Sequence, residues 1–165
     1  MKTLLIVRHA KSSWDNAAIG DIDRPLNDRG RHDAPVMAHR LIKAGARIDL
    51  FVSSPAKRAR QTAEFFLREF GKKETAIHFI PELYHASTQT FKEVIAGLDD
   101  TAASVALFSH NPGITAFVNT LTSVYVDNMP TCAVFAVTSP TESWQEFQAA
   151  GPVFWFFDYP KSGKD

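Results

Sequence analysis

The residues of this 165-residue chain that could do chemistry fall in three short clusters: Arg8-His9, Ser53-Ser54 with Arg58, and Ser109-His110-Asn111. Each follows a short apolar run of the kind that forms a buried strand, namely Leu4 to Val7, Leu50 to Val52 and Val105 to Phe108. A strand usually ends in turn residues such as Gly, Asn or Asp, so one that ends in a cation and a titratable ring calls for a different explanation. Two arginines and two histidines, gathered at helix N-termini with no carboxylate among them, would form a cavity for a doubly charged anion such as phosphate. Arginine offers planar bidentate donors to phosphoryl oxygens. A histidine kept neutral by neighbouring cations keeps the lone pair that attacks phosphorus.

These clusters can meet only if the elements between them bring strand ends together. Further β-type runs lie at Ala76 to Ile80, Ala133 to Val137 and Val153 to Tyr159, and helical patterns separate the first four strands, which is an α/β signature. Ser54-Pro55 reads as N-cap and first helical position, and Ala56, Ala59, Ala63, Phe66, Leu67 and Phe70 form a buried stripe before Gly71 closes the helix. Asp33 is expected to cap another helix, with Pro35 in its first turn and Ala34, Met37, Ala38 and Leu41 on its buried face before Gly45. A third helix follows Ser87 and runs through Phe91 to Leu98. Asn111-Pro112 repeats the cap-then-proline device ahead of Ile114, Phe117, Val118 and Leu121. In an open parallel sheet all three clusters then share the carboxyl edge, where ligands bind. Arg58, one turn into its helix, points back toward it.

Composition narrows the function classes. The length and an apolar content of 45% suit one domain, residues 1–165, with a sizeable core. Eighteen Lys and Arg balance eighteen Asp and Glu, so no global field favours nucleic acid or an anionic membrane as a partner. No apolar run approaches the roughly 18–20 residues of a membrane span, and Met1-Lys2 leads directly into a strand, so a cytoplasmic protein is expected. Cys132 has no cysteine partner and reads as a buried, inert strand thiol. His32, His39 and His78 read as solvated or inert. The acidic stretch GDIDRPLNDRGRHD is not an EF-hand, because its sixth and twelfth positions from Asp21 are Leu26 and His32 instead of Gly and Glu.

Taken together, LLIVRHAKS, DRPLNDRG, SSPAKRARQTA and FSHNPG resemble the histidine phosphatase superfamily, specifically its small SixA-type phosphohistidine phosphatases, over residues 4 to about 113. The resemblance implies a phosphoglycerate mutase-like, three-layer α/β/α sandwich around a mostly parallel sheet. It implies His9 as the phosphorylated nucleophile, Arg8, Arg58 and His110 as the clamp on the phosphoryl group, and Arg24 as a further binding residue. It calls for no metal and no cofactor. Lys11, Ser12 and Asn111 are additional candidates for substrate contact.

Three positions depart from common family patterns. Ala10 follows the Arg-His pair where glycine is frequent, and Asn111 follows the second histidine where glycine is again frequent. Many ester-cleaving relatives carry a glutamate acid two residues beyond a leucine after the third strand. Here Leu83 is followed by Tyr84 and His85, with Glu82 one residue ahead. An alkoxide needs a proton in order to leave, whereas imidazole, with a free pKa of about 6.5, departs from phosphohistidine without a dedicated acid. The expected activity is therefore hydrolysis of phosphohistidine on a protein partner. The alternatives are a phosphomonoesterase for a small metabolite, with His85 or Glu82 as acid, and a phosphate-recognition module without turnover.

Overall fold

The computed structural model describes residues 1–163, and one six-stranded sheet organises it, in the order β3-β2-β4-β1-β5-β6. Its strands are β1 (Lys2–Arg8), β2 (Leu50–Ser53), β3 (Ile77–Phe79), β4 (Ser104–Ser109), β5 (Val134–Ser139) and β6 (Val153–Asp158). The first four run parallel to one another. β5 and β6 are added antiparallel on the β1 side. The α-helices are α1 (Asp28–Lys43), α2 (Lys57–Glu69), α3 (Thr88–Ala96) and α4 (Gly113–Val118).

The alternation of each strand sorts its side chains into two cores. Leu4 and Ile6 of β1, Val105 and Leu107 of β4, and Phe135 and Val137 of β5 pack with Phe91 and Ile95 of α3 and Ile114, Phe117 and Val118 of α4. Their neighbours Leu5 and Val7, Ala106 and Phe108, and Val134 and Ala136 pack with α1 and α2 through Met37, Ala38, Leu41, Ala63, Phe66 and Leu67. Helices therefore cover both faces, and the sequence's α/β/α sandwich is present.

Strand order follows from the handedness of the crossovers. β1→α1→β2 and β2→α2→β3 progress in one direction across the sheet and share a face, whereas β3→α3→β4 returns in the other direction and covers the opposite face. As a result, the chain leaves neighbouring β1 and β4 toward opposite sides. A crevice opens between them at the carboxyl edge.

Three helix starts differ from the sequence reading. α1 is capped by Asn27, whose Oδ1 accepts from the Gly30 N–H at 2.9 Å, so Pro35 lies inside the helix and Asp33 is a buried helical residue. α2 begins at Lys57, and the Ser54 hydroxyl accepts from the Ala56 N–H before the helix starts. α4 begins after a cis Asn111-Pro112 bond and ends at Val118, short of Leu121. α3 follows Ser87 as expected but ends at Ala96, short of Leu98; the Ser87 hydroxyl caps it, accepting from the Thr90 N–H at 3.2 Å, and Gly71 beyond α2 has the positive φ of a closing glycine. Cys132 is buried as read, but it precedes β5 and does not lie within it.

The loop after β4 is pinned by a close approach at Gly113, where a Cβ would lie 2.0 Å from the Ala86 carbonyl oxygen. Gly113→Ala is expected to cost roughly 1–3 kcal/mol by overpacking. Gly20→Ala, with nothing within 4 Å of its Cβ position, should stay within about 0.5 kcal/mol. Urea denaturation of the two variants measures the difference.

Candidate active site

The register of the central strands places the two histidines side by side. Arg8 of β1 pairs with Ser109 of β4, so His9 and His110 are the first residues beyond a matched pair of strand ends. The ladder continues one step further through His9 N–H to Ser109 O at 3.1 Å, and Ser54 N–H donates to Phe108 O at 3.0 Å. The two imidazole centroids lie 5.1 Å apart, and each residue is only 6% exposed.

His9 is held in one tautomer. Its Nδ1 lies 2.7 Å from the Ala10 carbonyl oxygen, which can only accept, so Nδ1 carries the hydrogen and Nε2 keeps an in-plane lone pair. Burial, with the fields of Arg58, Arg8 and Arg24, lowers its pKa to about 3. The nucleophilic form therefore prevails at neutral pH. The Ala10 N–H donates to Thr62 Oγ1 at 2.9 Å and Thr62 donates to the Arg58 carbonyl, which ties this loop to α2. Ala10 itself is fully buried, so its methyl is accommodated where glycine is frequent in relatives.

His110 Nε2 meets Ser54 Oγ at 2.7 Å, and its Nδ1 is buried without a partner. Burial, followed by the fields of His9 and Arg58, lowers its pKa to about 2. In the tautomer in which the Ser54 hydroxyl donates to Nε2, Nδ1 carries the ring hydrogen. Arg8, Arg24 and Arg58, whose fields act on His9, each have a buried Nε with no partner. Another unpartnered Nε, that of Arg40, lies elsewhere, where its guanidinium donates to the Tyr159 and Pro160 carbonyls. Arg8 is anchored through Nη1 to Met129 O at 2.8 Å, and burial, with Arg58 close by, lowers its pKa. Arg24 donates to the Ser12 hydroxyl and stacks its guanidinium 3.7 Å over the Trp14 ring.

The expectation that no carboxylate shares the cluster is wrong. Asp21, in a 3-10 turn at Asp21–Asp23, receives Arg58 Nη2 on its Oδ2 at 3.0 Å and Arg58 Nη1 on its main-chain oxygen at 2.7 Å. The Tyr84 hydroxyl donates to Oδ2 at 2.6 Å, and Arg24 Nη2 lies 3.3 Å from Oδ1. The Tyr84 hydrogen bond, with Arg58 and Arg24, holds this carboxyl far below the usual carboxylate range despite partial desolvation. Burial and Asp21 in turn raise the Tyr84 phenol. Neither Asp21 nor Tyr84 was singled out from sequence. The available signal was an acid three residues ahead of a site arginine in a loop already expected to enter the crevice.

The remaining candidates divide. Ser12 is buried and engaged by Arg24, whereas Lys11 is exposed and lines a separate cavity of about 250 Å³ with Arg29, Asp33 and Lys161. Asn111 does not cap α4. Its Nδ2 donates to Met129 O and Asn128 Oδ1, and its Oδ1 accepts from Thr115, so it braces the segment that anchors Arg8. His85 is exposed, has a positive φ, contacts the Tyr84 ring at 3.9 Å, and shares a cavity with His110. Glu82 is exposed on the 3-10 turn before Leu83, and no described contact joins it to His9 or His110. His32, His39 and His78 are exposed as read, and burial pushes the Cys132 thiol up, away from reactivity. Among the described residues, no group of three or more His, Cys, Asp or Glu could hold a metal ion, and no helix is long and apolar enough to cross a membrane.

A neutral, oriented imidazole beneath guanidinium donors is suited to accepting a phosphoryl group. The chain belongs to the histidine phosphatase superfamily, branch 1, whose family model matches residues 4–87. Within that class it is similar in structure to the protein histidine phosphatase SixA in complex with tungstate, with 25% identity and a TM-score of 0.82 over 98% of this chain and 99% of that one. It is also similar to a protein of Agrobacterium tumefaciens assigned as phosphohistidine phosphatase SixA, with 27% identity and a TM-score of 0.80 over 96% and 98% of the two chains. An uncharacterized chloroplastic protein of Arabidopsis thaliana is 29% identical over 163 residues, covering 93% of this chain and 74% of its own.

The two histidines make the site sensitive to acid in a defined direction. Both fold with pKa values far below the unfolded 6.5, so the unfolded chain binds the extra protons and stability falls as pH drops below about 6.5 toward 3. Each ring contributes a slope of about 1.4 kcal/mol per pH unit in that window. Urea unfolding of His9→Asn between pH 6 and 4.5 is expected to show a dependence shallower than wild type by about that amount.

Proposed function

We propose that the protein is a phosphatase that works through a phosphohistidine intermediate on His9, and that its substrate is phosphohistidine carried by another protein. The observation that supports this reading is the set of unpartnered buried nitrogens on Arg8, Arg24, Arg58 and His110 around an imidazole whose Nε2 is free to attack. In the first step Nε2 forms a bond to phosphorus as the bond to the leaving group breaks, with the guanidinium groups taking up charge on the phosphoryl oxygens. In the second, water attacks the phosphoenzyme, releases phosphate and returns His9 to its starting tautomer. The similarity to SixA in complex with tungstate, a phosphate-like oxyanion, fits a cage of this kind.

Phosphohistidine is preferred over an alkyl ester because no glutamate stands two residues beyond Leu83. A second reading, a phosphomonoesterase for a small metabolite, is favoured by one observation, the position of His85 in the cavity shared with His110. Initial rates on a phosphohistidine protein, on aryl phosphates and on alkyl phosphates separate the two. The primary reading expects phosphohistidine to be cleaved best and His85→Ala to leave that rate within a few-fold. A selective loss of about a hundredfold on alkyl phosphates in His85→Ala would promote the second reading. No turnover on any of them would leave a phosphate-recognition module.

His9→Ala is expected to fold and to retain less than roughly a hundredth of the wild-type rate, with no acid-labile phosphoenzyme trapped on quenching. Phosphate, vanadate and tungstate should inhibit competitively. Activity should persist in EDTA, and a loss restored by a divalent ion would overturn the metal-independent mechanism.

A further inference from the structure

The carboxylate of Asp21 needs an account beyond counter-charge. Asp21 accepts from both terminal nitrogens of Arg58, from Nη2 on its carboxylate and from Nη1 on its main-chain carbonyl, while the Arg58 side chain is only 6% exposed. Its own side chain is 44% exposed, in contrast to His9 and His110 at 6% each. Asp21 therefore stands at the mouth of the crevice above a buried floor. His9 attacks from the floor, so an in-line leaving group departs toward the mouth. The titratable and charged groups facing Asp21 are Arg24 from its own loop, Arg58 from α2 and Tyr84 from the connection after β3, with His110 within its field.

We propose that Asp21 is a catalytic residue for phosphohistidine, its carboxylate accepting the ring N–H of the substrate imidazole as that ring leaves. The proposal rests on the phosphohistidine reading above. Phosphoimidazole expels a neutral ring only when its other nitrogen carries a hydrogen, and an anion facing that N–H favours the protonated form. In the transfer, His9 Nε2 gains the bond to phosphorus, and the broken phosphorus–nitrogen pair returns to the substrate ring, which leaves as neutral imidazole with its N–H still directed at Asp21. His9 ends phosphorylated on Nε2 with its Nδ1 hydrogen still on the Ala10 carbonyl. No proton changes place. The two rings are treated alike, one N–H held by Ala10 O and the other by Asp21. An alkoxide gains nothing from such a residue, because Tyr84, Arg58 and Arg24 keep the carboxyl without a proton to give.

The test compares wild type, Asp21→Asn and Asp21→Glu on phosphoimidazole and p-nitrophenyl phosphate from pH 6 to 9. At pH 8, Asp21→Asn is expected to lose at least about tenfold more kcat/KM on phosphoimidazole than on p-nitrophenyl phosphate. Its phosphoimidazole profile should fall off about one pH unit earlier on the alkaline side. Asp21→Glu should restore the wild-type limb. Equal losses on both substrates, a complete loss on both, or an unmoved alkaline limb would assign Asp21 to holding Arg58 alone and overturn the proposal. Wild-type enzyme that cleaves p-nitrophenyl phosphate but not phosphoimidazole would overturn the phosphohistidine reading and this role together, whereas a working wild type with unchanged substrate ratios in Asp21→Asn would overturn only the role.

Discussion

Positive charge withdrawn from water must be matched, and the site is organised around how incompletely this is done. Arg8, Arg24 and Arg58 converge on His9, and the carboxylate that contacts two of them is that of Asp21. The shortfall leaves guanidinium nitrogens without partners, and its field adds to burial, the larger cause, in depressing the His9 imidazole so that the ring beside them is a base without a proton. Asp21 limits that field from the solvent side, and Tyr84 holds Asp21 in place.

The fold delivers this field without long-range contrivance. β1 and β4 are hydrogen-bonded neighbours whose continuations leave toward opposite faces, so the residues just past Arg8 and Ser109 are brought together by strand pairing alone. α2 contributes Arg58 from its first turn and Thr62 from its second. Thr62 ties the Ala10 amide back to the helix. The site rests on the most buried strands of the sheet, and the loop that carries Trp14, Asp21 and Arg24 forms its rim.

What could be read from the chain and what could not divide along physical lines. Arg8-His9 and Ser109-His110 were legible because charge at the end of an apolar strand is a local anomaly, and the cores were legible because strand alternation and helix periodicity are local patterns. Helix starts were less so. Ser54 and Asn111 have the side chains of good caps, but Ser54 binds His110 and Asn111 binds Asn128 and Met129, so the site takes residues that local preference would have given to helix ends. α1 likewise is capped by Asn27 and absorbs Pro35, because burial of Ala34, Met37, Ala38 and Leu41 against the sheet outweighs one lost hydrogen bond. Asp21 was hidden for a different reason. The one cue in GDIDRPLN, an acid three residues ahead of Arg24, does not separate a loop acid from a site acid until a 3-10 turn is docked on α2, a long-range event.

The last third of the chain holds the site with its main chain. The Met129 carbonyl receives Arg8, the Cys132 amide donates to the His9 carbonyl at 3.0 Å, and Cys132 takes a positive φ to do so. Carbonyls and amides are common to every residue type except for the amide of proline, so these supports place few demands on side-chain identity. A region can thus be mechanically indispensable and still leave little trace in a motif. The family pattern stops at residue 87, whereas structural likeness to SixA runs over 98% of the chain. The part that the family model matches carries Arg8, His9, Arg24 and Arg58, and the remainder carries His110 and the main-chain groups that hold Arg8 and His9.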